Sequence, residues 1–174
     1  MEAATRVSYE HVGGVCMNVG CIPSKALLHA TAIIREGKQS SHRGIEFGAA
    51  KVEVEKLRNW KESIVEKLGQ GIRSLAQHRR VEVVHGRGHF EDSQTLRVET
   101  TAGQKFIRYE KAIIAAGSKP AMPHAFDLGN KRVMTSTEAL DLPDVPQDLL
   151  VVGGGYIGME LGTVYAALGS NVVM

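Results

Sequence analysis

The stretch Gly13-Gly14-Val15-Cys16-Met17-Asn18-Val19-Gly20-Cys21-Ile22-Pro23-Ser24-Lys25 holds both cysteines of the 174-residue chain, with glycines ahead of them and a helical pattern behind. Two thiols can store two electrons as a disulfide. Closing a ring over so short a segment needs a bent backbone, which Gly20 and the Ile22-Pro23 bond can supply. From Ser24 the residues Ala26, Leu27, Leu28, Ala30, Ile33 and Ile34 read as a helix, so Cys21 is expected at or just before a helix N-terminus. That position lowers a thiol pKa and favours the thiolate. Spacing alone leaves two plainer readings open, a pair of unrelated buried cysteines or a structural disulfide.

On the N-terminal side, Arg6-Val7-Ser8-Tyr9 reads as the end of a strand. On the C-terminal side, Gln39-Ser40-Ser41-His42-Arg43-Gly44 reads as a loop, and residues 54 to 78 as a long amphipathic helix. Leu57, Trp60, Ile64, Leu68, Ile72 and Leu75 recur at three- and four-residue steps on one face, and core packing is the expectation for all of them. From Val81 the period changes to two. Residues 81–84, 95–99 and 105–108 alternate apolar and polar, with turns at Asp92-Ser93 and Ala102-Gly103, and predict an antiparallel β-meander. Ala112-Ile113-Ile114-Ala115-Ala116-Gly117 predicts a buried parallel strand, and residues 119 to 146 a proline-punctuated connector.

A second glycine-rich segment follows. Leu149-Leu150-Val151-Val152 runs into Gly153-Gly154-Gly155-Tyr156-Ile157-Gly158, then a helical run to Leu168, Gly169 as its cap and Asn171-Val172-Val173-Met174 as a strand. Strand, G-x-G-x-x-G turn and helix stand in the order of a dinucleotide-binding βαβ unit. Gly153 allows the tight turn, Gly155 the approach of a pyrophosphate, and Gly158 the packing of helix on strand. An acidic residue after the second strand would separate NAD from NADP, and it is expected beyond Met174.

Composition narrows the functional classes. The chain is 43% hydrophobic and 23% charged, and its formal charge of +2, with no basic stripe, gives no reason to invoke nucleic acid. The most apolar run, residues 149 to 161, is glycine-rich and carries Glu160, unlike a membrane span. Residues 1 to 10 lack the apolar middle of a signal peptide, so the two cysteines suggest a reducing compartment and a catalytic pair. His85 and His89 are separated by glycines and offer no metal-ligand spacing, so no metal is expected.

The segment from Gly13 to Lys25 resembles the active-site region of the flavin-dependent pyridine nucleotide-disulfide oxidoreductases, and the resemblance extends in register from about Tyr9 to the last residue. Within that family, Ser24-Lys25-Ala26-Leu27-Leu28, Met134-Thr135-Ser136-Thr137-Glu138-Ala139-Leu140 and Glu160-Leu161-Gly162-Thr163-Val164-Tyr165 are most similar to the dihydrolipoamide dehydrogenase branch. Glutathione and mercuric reductases share the cysteine motif. A non-catalytic binding module is the alternative from another class.

The resemblance implies an α/β chain with a partial FAD/NAD(P)-binding Rossmann-like, three-layer ββα fold and an antiparallel β-meander. It implies a partial FAD-binding domain over 1–119, a connector over 120–148 and the start of an NAD-binding domain over 149–174. Cys16 is implied as the interchange thiol, Cys21 as the flavin contact, and Lys25 as a charge beside the isoalloxazine ion-paired to Glu160. FAD contacts are implied at Gly13, Gly14, Val15, Cys16, Lys25, Gly88, Ala116, Gly117 and Ser118, and NAD contacts at Gly153, Gly154, Gly155, Tyr156, Ile157 and Gly158. Tyr156 reads either as a gate over the nicotinamide or as packing. Implied partners are the dihydrolipoyl domain of a 2-oxoacid dehydrogenase complex and a second subunit in a homodimer, in the bacterial cytoplasm or the mitochondrial matrix.

The sequence departs from the family pattern at three places. Val7 stands where an acidic residue holds the adenosine ribose, Ala116 replaces a threonine, and no His-Pro-Thr segment supplies the acid-base histidine. The flavin phosphate loop is expected ahead of Met1. The chain is therefore expected to be an internal piece that does not turn over alone.

Overall fold

The Cys16–Cys21 segment folds as two helices rather than as a loop. In this computed structural model, which describes residues 5–8 and 11–174, helix α1 covers Gly14–Val19 and helix α2 covers Cys21–Gln39. Gly20 is the break between them, because a Cβ there would stand 2.9 Å from the Val15 carbonyl oxygen. Pro23 lies inside the first turn of α2 instead of making the bend, and its missing N–H costs no helical bond there. The first bond of that turn runs from Ser24 N to Gly20 O, so Cys21 opens the helix, at the N-terminal place expected for it. The helix continues to Gln39, and Ser40–Arg43 form a 3₁₀ turn closed by Gly44 at φ 77°, where a loop was expected.

Two compact units divide the chain, each assembled from separate segments: Val15–Glu66 with Lys119–Met174, and the described part of Met1–Gly14 with Lys67–Ser118. In the first, Leu27 of α2, Leu140 and Leu142, and Leu161, Val164 and Tyr165 form the core. Helix α3, Val54–His78, has the predicted bounds and leads Val54 and Leu57 to this core. Of the rest of its stripe, Ile64 and Ile72 are half-buried, and core packing fails at Trp60, 40% exposed, Leu75, 56% exposed, and Leu68, which is exposed as well. Beside Val54 and Leu57, α3 also turns two polar residues inward, Arg58 and the buried Lys61.

Those two cations serve a helix within the segment expected as a connector. Helix α4, Ser136–Asp141, starts with a capping box in which Thr135 and Glu138 satisfy each other's backbone N–H groups. Its last carbonyls point into the unit and would be orphaned without donors. Arg58 donates to Asp141 O at 3.0 Å, Leu142 O at 2.7 Å and Pro143 O at 3.0 Å, Lys61 to Leu140 O at 2.9 Å, and the Tyr165 hydroxyl to Ala139 O at 3.0 Å. Burial of Tyr165 pushes its phenol up to about 12.

The βαβ reading holds. Strand β6 (numbered after the strands below), Asp148–Leu150, leads through the glycine turn into α5, Tyr156–Leu168, and back to β7, Asn171–Val173, which pairs parallel with it. Gly169 caps α5 with φ 120°.

In the other unit, β1, Thr5–Ser8, pairs parallel with β2, Glu82–His85. The strand expected at Arg6-Val7-Ser8-Tyr9 is thus present, and Tyr9 lies outside the described residues. The meander consists of β3, Arg87–Phe90, β4, Thr95–Thr100, and β5, Gly103–Arg108. This corrects the expectation that residues 81–84 open it. Alternation identifies a strand without naming its neighbour, and Gly86 redirects the chain between β2 and β3, where a Cβ would lie 2.3 Å from Glu99 O. Residues 112–117 form no strand: Ile113 is 95% exposed and Ile114 75%. A strand needs a ladder, and no described strand pairs with this run.

Candidate functional site

Four chemically active side chains meet in the first unit. Cys16 on α1 and Cys21 at the first position of α2 are free, exposed thiols that hydrogen-bond to one another. That bond raises the Cys16 pKa above the usual thiol value, and partial desolvation and the charge of an ionised Cys21 act the same way. The Cys21 backbone N–H and the Lys25 charge oppose the shift. In this dithiol state Cys16 therefore keeps its proton, and its attack on another sulfur requires a proton acceptor.

One turn further along α2, Lys25 Nζ donates to Glu160 Oε1 of α5 at 2.5 Å, with side chains 60% and 26% exposed. The expected ion pair is formed. Its hydrogen bond is the main reason that the Lys25 pKa is raised and the Glu160 pKa lowered, so both stay charged around neutral pH. Lys25 also feels the two sulfurs, whose negative charge would raise its pKa further.

Glu160 stands on the helix that the glycine turn opens. Gly153 has φ 109°, and Gly155 is the N-cap of α5, with no atom within 4 Å of the Cβ it lacks. The first helical bond is Met159 N to Gly155 O, so the N–H groups of the first turn have no helical acceptor. Free N–H groups beside the open side of Gly155 suit an anionic group such as a pyrophosphate. Gly158 answers to a different constraint, since a Cβ there would lie 2.2 Å from Gly153 O. A Cβ at Gly154 would lie 3.8 Å from Met174 Sδ, Ile157 is exposed, and Tyr156 at 78% exposure is not packing.

The remaining predicted residues belong to the other unit or its border. Gly13 and Gly14, at the start of α1, have φ 116° and 67°, positive values that only glycines adopt freely, and Val15 after them is exposed. Gly88 lies within β3, where a Cβ would meet the Leu96 side chain. Ala116, Gly117 at φ 75° and Ser118 are exposed and outside regular elements.

Two residues escaped the sequence reading. Ser24 is buried beside Lys25, and its hydroxyl donates to Cys21 O at 3.1 Å. Gly162 lets the βαβ helix approach Met174 Cε and Val172 Cγ1, 3.2 and 3.6 Å from the Cβ it lacks. The signal for Gly162 was its four-residue step from Gly158 on one helix face. For Ser24 there was none, because a serine one residue before a lysine carries no periodicity of its own.

A dithiol at a helix start, a paired lysine and glutamate beside it, and a glycine-rich dinucleotide turn define a disulfide-handling oxidoreductase class. The chain belongs to the pyridine nucleotide-disulphide oxidoreductase family, which it matches over residues 3–174. It is 44% identical over 164 residues to a dihydrolipoyl dehydrogenase of Vibrio cholerae, covering 94% of this chain and 34% of that one. A dihydrolipoyl dehydrogenase of Haemophilus influenzae is 46% identical over 173 residues, covering 99% of this chain and 36% of the relative. Among solved structures, LpdA from Mycobacterium tuberculosis superposes with a TM-score of 0.86 at 22% identity, over 98% of this chain and 38% of that one, and establishes the α/β fold. The chain spans about a third of the length of these relatives.

Proposed function

We propose that the chain carries the dithiol and part of the nucleotide sites of a dihydrolipoyl dehydrogenase. The observation that supports this most is the exposed Cys16/Cys21 pair at the start of α2 with the Lys25–Glu160 ion pair one turn away. Cys16 takes the substrate side. The two substrate thiols lose two electrons and two protons, an S–S bond forms between them, the Cys16–Cys21 S–S bond breaks, and both cysteines end as thiols. Lys25 holds a positive charge next to Cys21, and Glu160 keeps that charge in place.

FAD and NAD+, when bound, supply the two-electron oxidation that returns the dithiol to the disulfide. Residues 1–119 contribute Gly13, Gly14, Val15, Cys16, Lys25, Gly88, Ala116, Gly117 and Ser118 to the flavin. Residues 149–174, after the 120–148 segment, contribute Gly153 to Gly158 to the dinucleotide, with Tyr156 as the gate. In this reading the partners are a dihydrolipoyl domain and a second subunit, in a cytoplasm or mitochondrial matrix. No described helix is long and apolar enough to cross a membrane.

The test is anaerobic addition of dihydrolipoamide to the chain reconstituted with FAD. Bleaching of the flavin absorbance is expected, with Cys16→Ser abolishing it. Equal bleaching in parent and variant rejects the assignment.

A further inference from the structure

Gly20 separates the two cysteine-bearing helices, and that break is what brings the thiols into reach of one another. In one uninterrupted helix, residues 16 and 21 would lie roughly 7.5 Å apart along the axis and about 140° apart around it. Cysteines whose Cα atoms are more than about 7 Å apart, or whose Cβ atoms point apart, cannot be bridged without backbone movement. The chain instead leaves the helical conformation at Gly20, with φ −144° and ψ −116°, and α2 starts afresh with Gly20 O as its first acceptor. The turn is tight: a Cβ at Gly20 would stand 2.9 Å from Val15 O, 3.3 Å from Val15 C and 3.2 Å from Cys16 Cα. All three are backbone atoms, so no side-chain rotation relieves the contact. The geometry points to Gly20 as a positioning residue for the dithiol: lacking a side chain, it closes against the Cys16 backbone and sets Cys16 and Cys21 within the span of one S–S bond.

A methyl group at this position acts in two ways. It pushes the Val15–Cys16 backbone away from the break, and alanine, the strongest helix former, favours running α1 on into α2. Either response carries Cys16 away from Cys21. Pro23 opposes the second response, because in a continuous helix its ring would meet the carbonyl of Val19. The reaction that reports the geometry is a balanced exchange with a small disulfide. With oxidised glutathione, the Cys16–Cys21 S–S bond forms, the glutathione S–S bond breaks, and the two cysteine protons end on two glutathione thiols.

The inference rests on the proposed oxidoreductase reading for its purpose, and its test needs neither flavin nor turnover. The 174-residue chain is equilibrated in glutathione buffers of graded ratio, quenched by alkylation and analysed by mass spectrometry for its disulfide fraction, with thermal melting of the dithiol form followed in parallel. Gly20→Ala is expected to lower the equilibrium constant for disulfide formation about tenfold or more, which is about 30 mV for a two-electron couple, while the dithiol form still melts cooperatively. Gly20→Ala combined with Pro23→Ala frees the helix to run on; it is expected to lower the constant at least as far and to raise the helical circular dichroism, and it decides the outcome if the single variant fails to fold. Gly48→Ala, at a glycine with no atom within 4 Å of the added Cβ, is expected to keep the parent constant. A constant within about twofold of the parent in a folded Gly20 variant overturns the inference, as does an equal fall in Gly48→Ala. Loss of cooperative melting in both Gly20 variants overturns it as well, because the glycine would then serve folding alone. Failure of dihydrolipoamide to bleach the flavin, with these constants as expected, would instead count against the dehydrogenase reading alone.

Discussion

Helices α2 and α3 both carry apolar stripes at helical spacing, yet α2 buries the greater part of its own, leaving Ile33 exposed, while α3 leads only Val54 and Leu57 to the core. Leu27 of α2 is fully buried and Ala26 nearly so. On α3 the apolar positions at Trp60, Leu68 and Leu75 stand in solvent, and the helix is tied to its unit through Arg58 and Lys61 instead. The difference teaches that a stripe reports which residues share a face and is silent about what covers it. A covering element is a property of distant sequence. For α2 it is α5, which begins more than a hundred residues later, and for the inward face of α3 it is the polar end of α4.

The largest expected effect tests the covered helix. Leu27→Ala removes a fully buried side chain from the centre of the core, and chemical denaturation is expected to show a loss of about 2–5 kcal/mol. A loss below about 1 kcal/mol would mean that α2 and α5 are not packed as described. Next comes the polar anchor of α3. Arg58→Ala leaves the Leu142 carbonyl without its donor, and about 1–3 kcal/mol should be lost on the same measurement, with Arg58→Lys recovering part of it. Tyr165→Phe, which removes one of the two donors to Ala139 O and leaves the Leu142 N–H as the other, is expected to cost about 1 kcal/mol.

Smaller again is the effect of acid and base on the pair that joins α2 to α5. The Glu160 pKa is lowered in the folded chain, so its contribution is complete above the ordinary carboxylate range and disappears as pH falls through the depressed value. The Lys25 pKa is raised, so its contribution is complete below the ordinary lysine range and disappears as pH rises through the raised value. Melting temperatures across this range should fall at both ends less steeply in Lys25→Met than in the parent. The smallest effect belongs to the uncovered stripe, where Trp60→Gln and Leu75→Gln should each change stability by no more than about 0.5 kcal/mol. A loss of several times that amount for either would show that something covers this face in solution.

How much could be read in advance follows the same division. The bounds of α3, the βαβ unit around Gly153 to Gly158 and the adjacency of Cys16 and Cys21 all rest on local spacing, and all are present. The Lys25–Glu160 pair joins residues 135 apart, and it was legible through family resemblance rather than through any local pattern. Residues 112–117 have the composition of a buried strand and no ladder, because pairing depends on a neighbour that composition does not specify. Helix α4 was hidden for the opposite reason: its six residues carry too little periodicity to stand out, and its stability comes from a capping box and from donors on two other helices.

The separation of 135 residues between Lys25 and Glu160 also has a meaning in time. A ribosome adds about 5–20 residues per second, so α5 follows α2 out of the exit tunnel by roughly 7–27 s. Throughout that interval Leu27 has no Leu161 or Val164 to lie against, although helix formation itself takes under a microsecond or so. The whole of residues 67–118 is made while the first unit waits half finished. A nascent chain halted there exposes the apolar face of α2, and that is the stage at which a chaperone has most to hold.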